Sequence, residues 1–457
     1  MMERMGRFLA RRWESAVVLL ILLAAVVFRL TAYGDLRLSI ATLDTQSYVD
    51  ASRPPIFSWQ AFTRPRLFGT NLLYRLTGAT DCQIEALSVP AIGKESHRRD
   101  QACFEAVVLT QTLFSVFGWG LFVFGFATAM SDRFSKIAAA AVLSVFAFVP
   151  QIADWDSVLS SESLAFSLFA LALGFLLMFL RERPADNEVI RASKASTTFA
   201  IGAGASLALW SFVRDPNLYP VLLFCLMALE AVLHARPRSK VAIVGLVCLW
   251  AVCVVGLVSS MQSGRWRIPI TGAYGDFILS DPARVQAMQR MGMPDPNSAA
   301  YQGWFEAHGA STYAVFLISH PRFVAITIFN NLNYLFDNNN QPYFKTPDLP
   351  FRNLALQVGD WVHSRSSAVI LAAVLVTLAL VFAGIRTRDQ ATLAWAWLLG
   401  WLLISGLLTS VLTFFADPAG VERHVLFALV LLRLLMWMGL LVLTDRMAAA
   451  PPDPVGN

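Results

Sequence analysis
The chain has 457 residues, of which 56% are hydrophobic and only 15% charged, with a formal net charge of +5. Its mean hydropathy is +0.56, and the apolar residues come in unbroken blocks of about 20, the length that crosses a bilayer, which excludes an ordinary soluble enzyme. The basic residues sit in short turns between these blocks rather than along one stripe, so they orient the chain in a membrane and argue against a nucleic-acid partner.

Residues 1–12 carry Arg4, Arg7, Arg11 and Arg12 ahead of an apolar run from Ala16 to Phe28. No small-residue cleavage pattern follows, so the block reads as a retained first span with its start inside. About ten blocks have bilayer length, near 14–33, 104–130, 137–153, 159–180, 197–213, 217–233, 241–260, 366–385, 391–414 and 424–443. This predicts an all-α polytopic membrane protein. Its parts are a seven-span module over 1–260 with a long loop at 34–103, a second long loop at 261–365, three spans over 366–445, and a tail at 446–457. Short turns holding Arg133 and Lys136, Arg236 to Lys240, and Arg386 and Arg388 fall on the cytosolic side. Both long loops and the corners at Asp154 to Asp156, Arg214-Asp215 and Asp417 to His424 fall on the other. Every residue suited to chemistry thus shares one face.

Cys225, Cys248 and Cys253 lie inside apolar blocks and read as small hydrophobes. Cys82 and Cys103 flank the end of the first loop. They are either two thiols or a disulfide closing a loop of roughly 20 residues, worth about 3 kcal/mol in the entropic picture, and the residues leave both open.

The first loop is unusually rich in charge and aromatic rings for a turn between spans. Asp44, at the head of LDTQSYVD, suits a helix N-cap somewhat better than a general base near the bilayer surface, and the two roles are compatible. Pro65 and Gly78 bracket an apolar surface helix over 66–77, with Arg64 and Arg66 at its start. Asp154 and Asp156 form a corner that a solvated turn explains. Glu162 falls inside the next span, where an ionisable group costs several kcal/mol unless paired or hydrated, and so marks a function. Arg214 and Arg423, at the outer ends of spans, suit bidentate donation to a lipid phosphate, with His424 beside the second. In the second loop, Trp304, Phe305, Tyr313, Phe316 and Leu317 have helical spacing up to Pro321, which predicts a helix on the membrane surface or buried in a small domain. NNLNYLFDNNNQP reads as turns. No Cys or His pair has metal-ligand spacing, and no cofactor fingerprint is present, although a carboxylate-bound divalent ion near Asp44 and Asp154 or Asp156 stays open.

Taken in order and on one face, LDTQSY, RPRLFGTNLLYRL, SSESLAFSLFAL, FVRDPNLYPVLL and ERHVLFALV resemble the bacterial branch of the GT-C superfamily of membrane glycosyltransferases. The resemblance implies a polyprenyl-phosphate-linked sugar as donor and a glycan, lipid or protein as acceptor. It places the protein in the bacterial plasma membrane with the site facing outward. It assigns Asp44 as the base for the acceptor hydroxyl, with Arg214, Arg423 and then Arg64 holding the lipid phosphate and His424 donating to it. Asp154, Asp156 and Glu162 compete for the role of a second acid. Two other classes fit the composition: a lipid or sugar transporter or flippase, which would carry charges or breaks near the bilayer midplane, and a non-catalytic scaffold that binds a lipid phosphate.

Overall fold
A computed structural model describes residues 2–89, 96–181, 194–234, 240–416 and 420–449. Within the apolar blocks only helices form, because in lipid a segment must satisfy its own backbone. Helix α1 (Met2–Thr31) leads into a surface layer of β1 (Ile40–Ala41), α2 (Thr45–Ala51) and α3 (Phe68–Leu76). Helices α4 (Glu105–Ala129), α5 (Arg133–Phe148) and the single turn α6 (Pro150–Ala153) come next. Then follow β2 (Val158–Leu159), α7 (Glu162–Arg181), α8 (Lys194–Ser211), α9 (Leu218–His234) and α10 (Lys240–Ser263). The second loop folds into α11 (Arg267–Ala273), α12 (Pro282–Arg290), α13 (Ala300–Ser319), α14 (Pro321–Asn331) and α15 (Pro350–Val362). Helices α16 (Ala368–Thr387), α17 (Gln390–Ala416), the turn α18 (Val421–His424) and α19 (Leu426–Ala449) complete the chain.

Among the described residues, seven helices (α1, α4, α7, α10, α16, α17 and α19) are long and apolar enough to cross a membrane, or up to nine units if two bent pairs each count as one span. Helices also occupy the other three of the ten expected blocks. Helices α8 and α9, at 18 and 17 residues, are shorter than all seven. The block at 137–153 is not straight: α5 turns by 46° into the segment Pro150–Ser157. Pro150 lacks an amide proton and forces Val149 into extended backbone (ψ 162°), which breaks the helix there. The second bent pair is α13 and α14, at 92° about Pro321, inside the region read as a loop. One face of α13 (Phe305, Gly309, Tyr313 and Phe316) is buried in a small core with Tyr274 and Met288, while Ile318 on the other is exposed. The basic turns 182–193 and 235–239, Asp417 and the last eight residues lie outside the described part.

Helices α7 and α19 form the centre, each with 78% of its apolar window buried, against 17% for α1 and 22% for α10, whose outer faces are left for lipid. Close approach of α4 and α7 depends on glycine. A Cβ at Gly118 would strike the Ser167 carbonyl, and one at Gly174 would come within 2.8 Å of the Phe122 amide nitrogen. Small residues at such crossings let helix backbones touch where no hydrophobic force drives association. Inside a span, Arg433 of α19 has no acidic partner among the described residues and donates to the Asp337 carbonyl (2.7 Å), the Ser364 carbonyl (2.9 Å) and Asn339 Oδ1 (3.3 Å). The run read as plain turns is therefore what satisfies a buried guanidinium.

Two short pairings place the first loop against the bundle. Strands β1 and β2 run parallel, with Ile40 opposite Val158 and Ala41 opposite Leu159. Thr45 Oγ1 adds a bond to the Leu159 carbonyl (2.7 Å). Together they bring Asp44 beside the start of α7. Cys82 and Cys103 form a disulfide with Cα atoms 5.6 Å apart, which ties the end of the loop to the start of α4. Cys82→Ser is expected to lower stability by about 3 kcal/mol, the loop-closure entropy of a 20-residue ring, read as the shift in thermal unfolding. No shift would mean that the loop is closed by its other contacts alone.

Candidate active site
Asp44 occupies the N-cap position of α2, yet its carboxylate makes no capping bond. The amide of Thr42 bonds Thr45 Oγ1 (2.8 Å) and Ser47 Oγ donates to the Asp44 carbonyl (2.5 Å), so the turn is held by hydroxyls instead. The freed carboxylate points at two guanidinium groups. Arg66 Nη2 donates to Oδ1 (2.5 Å) and Arg423 Nη1 to Oδ2 (2.6 Å). Arg66 also donates through Nε to Ser47 Oγ (2.5 Å) and lies over the Tyr48 ring, 4.8 Å from its centroid. That cation–π seat and two bonds orient it fully.

From Arg423 the charges run inward. Its Nε donates to Glu162 Oε1 (2.7 Å), with Nη2 3.4 Å from Oε2, and Arg214 Nη1 approaches Oε1 at 3.7 Å. Glu162 is wholly buried, and the two arginines neutralise its carboxylate where an unpaired charge would be very costly. Arg214 Nη2 lies 3.0 Å from His424 Nδ1. A guanidinium can only donate, so Nδ1 accepts and the imidazole carries its proton on Nε2. Thus segments from the first loop, α7, the α8–α9 corner and α18 meet at one place.

Asp44, Arg66, Arg214, Arg423 and His424 line a cleft of about 350 Å³ whose apolar walls include Val213, Tyr219, Trp266, Ile268 and Leu412, with Glu162 enclosed behind Arg214 and Arg423. Arg265, nearly buried on the rim, donates to the Phe62 carbonyl (3.1 Å), the Arg64 carbonyl (2.9 Å) and Asp215 (3.3 Å), tying the first loop to the end of α10. Four guanidiniums (Arg66, Arg214, Arg265, Arg423) face three carboxylates (Asp44, Glu162, Asp215), leaving one positive charge in excess. A polar, net-cationic end with apolar walls suits an amphiphilic anion.

Burial works to raise the Asp44 carboxyl, but Arg423 and Arg66 outweigh it and hold it below its ordinary value of 3.8. A depressed carboxyl stays charged as pH falls, and its ion pairs are lost only through the folded-state value, below 3.8. Infrared titration of Asp44 is expected to show this, and Arg66→Gln should move its midpoint up. An unmoved midpoint would mean that Arg66 does not hold the charge.

Of the expected residues, Asp44, Glu162, Arg214, Arg423 and His424 come together. Asp154 and Asp156 do not join them. Asp154 is bound by the buried Arg352 of α15 and Asp156 by Arg29 of α1 (2.6 Å), with Ser163 Oγ also donating to it (2.6 Å). They brace the corner rather than line the cleft. Arg64 is exposed and contributes only its carbonyl, to Arg265, while its neighbour Arg66 enters the site. Arg265 and Tyr48 had no signal in sequence spacing, since both matter through partners far along the chain. Among the described residues, no group of three or more His, Cys, Asp or Glu gathers to hold a metal.

No known family's sequence profile matches the chain, and no curated protein matches it in sequence. Among solved structures, it is similar to the archaeal oligosaccharyltransferase AglB from Archaeoglobus fulgidus, in complex with an inhibitory peptide and a dolichol-phosphate. The identity is 12% and the TM-score 0.41, over 98% of this chain and 53% of that one. The chain thus spans about half the length of AglB, and a likeness this low carries no argument about its site.

Proposed function
We propose that this integral membrane protein is a GT-C-type glycosyltransferase that moves a sugar from a polyprenyl-phosphate donor to an acceptor hydroxyl on the extracytoplasmic face. The observation that carries the reading is the charge chain Asp44–Arg423–Glu162–Arg214 at the polar end of an apolar-walled cleft. The disulfide supports the side, since such bonds persist in oxidising compartments. Reporters fused after Ser96 and after Asn340 should both signal from outside.

In the resting site both Asp44 oxygens are occupied by guanidiniums. A donor phosphate takes donors from Arg66 and Arg423 in exchange, which frees the carboxylate beside the sugar. The acceptor oxygen then attacks the anomeric carbon, its proton passes to Asp44, and the bond from that carbon to the phosphate oxygen breaks. Negative charge grows on the departing polyprenyl phosphate, and preorganised Arg423 and Arg214 stabilise it there. Glu162 holds these two in place and His424 orients Arg214. The acceptor is a glycan, lipid or protein of the cell envelope.

Binding of labelled polyprenyl phosphate to the protein in nanodiscs tests the reading. Arg423→Gln and Arg66→Gln should each weaken it by roughly 10-fold or more, the worth of one charge-assisted bond. Arg64→Gln should leave it unchanged. If the three variants behave alike, the phosphate sits elsewhere.

A further inference from the structure
A second cavity, of about 360 Å³, shares no lining residue with the cleft and is almost purely apolar. Ile21, Ala25 and Phe28 form one wall, at spacings that put them on one face of α1, and α5 supplies the opposite wall from Ala141 to Phe148. Seven residues of helix make each wall about 10 Å long. Helix α15 closes the groove with Leu354 and Val358, while its flank is fastened by Arg352 to Asp154. The groove is therefore held open by an ion pair outside it and does not depend on a ligand to form.

We propose that this groove holds one acyl chain of a bilayer phospholipid as a resident lipid. Two of its three walls, on α1 and α5, belong to membrane-spanning segments, and Phe351, Leu354 and Val358 on the third are 40–71% exposed, so the groove opens outward onto the lipid-facing surface. An apolar space of this kind gains nothing from water, and its lining lacks partner atoms until hydrocarbon enters. No Arg or Lys lines it, and Ser144 is its one polar side chain. Selection is therefore for the chain and not for a phosphate, which separates it from the Arg-rich cleft and assigns its occupant to the bilayer rather than to the sugar carrier.

The full chain in nanodiscs of phosphatidylcholine with a photoactivatable diazirine on its acyl chain tests this, with adducts mapped by mass spectrometry. Adducts at Ala25, Ala141 and Val358 are expected several-fold above those at Leu19, Leu20 and Leu23, on the exposed face of α1. Ala25→Trp, which fills the groove from α1, should abolish the excess, and Val358→Trp should do so from α15 should the first variant fold poorly. Equal labelling of groove and exposed face, or an excess that survives both variants, would overturn the proposal. So would an excess removed by added polyprenyl phosphate, since the site would then belong to the carrier.

Discussion

Glu162→Gln is expected to destabilise the folded protein by about 3–5 kcal/mol, the cost of removing one partner from a buried ion pair. The substitution keeps side-chain volume, so no cavity contributes and the change reports charge alone. Glu162 is fully enclosed at the head of α7, the helix with most of its surface in the bundle centre. Without its carboxylate, Arg423 keeps its ion pair to Asp44 and Arg214 keeps His424, and the two guanidiniums repel each other with no anion between them. The measurement is thermal unfolding in nanodiscs against wild type. Added polyprenyl phosphate should recover part of the loss in the variant, because an anion in the cleft replaces the missing charge and binding shifts the folding equilibrium. A loss below about 1 kcal/mol, in the range of exposed pairs, would mean that the arginines turn out to water and that the network is not a buried one.

Asp44→Asn should separate binding from turnover. As general base, Asp44 contributes about 10²- to 10⁴-fold to rate, and the amide cannot take a proton from an acceptor hydroxyl. Its removal also withdraws the carboxylate that Arg66 and Arg423 hold at 2.5 and 2.6 Å in the resting site. Polyprenyl-phosphate binding in this variant is therefore expected to match or exceed that of wild type while transfer falls. A parallel loss of both would assign Asp44 the task of positioning guanidiniums.

Much of the bundle was legible because lipid imposes one rule, that spans be long and apolar, and the ten blocks read from hydropathy are all helical. Glu162, Arg214 and Arg423 stood out for a related reason: charges at the ends of apolar blocks are expensive and seldom incidental. What could not be read was pairing. Asp44 meets Arg66 over 22 residues of separation and Arg423 over 379, and nothing local distinguishes Arg66 from Arg64 two positions earlier. The resemblance left Asp154, Asp156 and Glu162 competing for the role of a second acid. The turn at Asp154 to Ser157 sends the first two toward Arg352 and Arg29, and only the third pairs with Arg214 and Arg423, which line the cleft. Arg433 escaped notice because its leucine neighbours dominate the average, and its partners include the backbone carbonyls of Asp337, in a run that reads as turn, and of Ser364, beyond α15. The disulfide depended on a meeting of loop ends that spacing alone leaves undecided.

The central claim is sugar transfer from a polyprenyl phosphate at Asp44, and release of free polyprenyl phosphate tests it most directly. Purified wild type and Asp44→Asn in nanodiscs would be given labelled polyprenyl-phosphate sugars with an extract of cell-envelope acceptors. Wild type should release labelled polyprenyl phosphate together with a glycosylated product, and the variant neither. Equal release from both proteins, or from neither, would contradict the account.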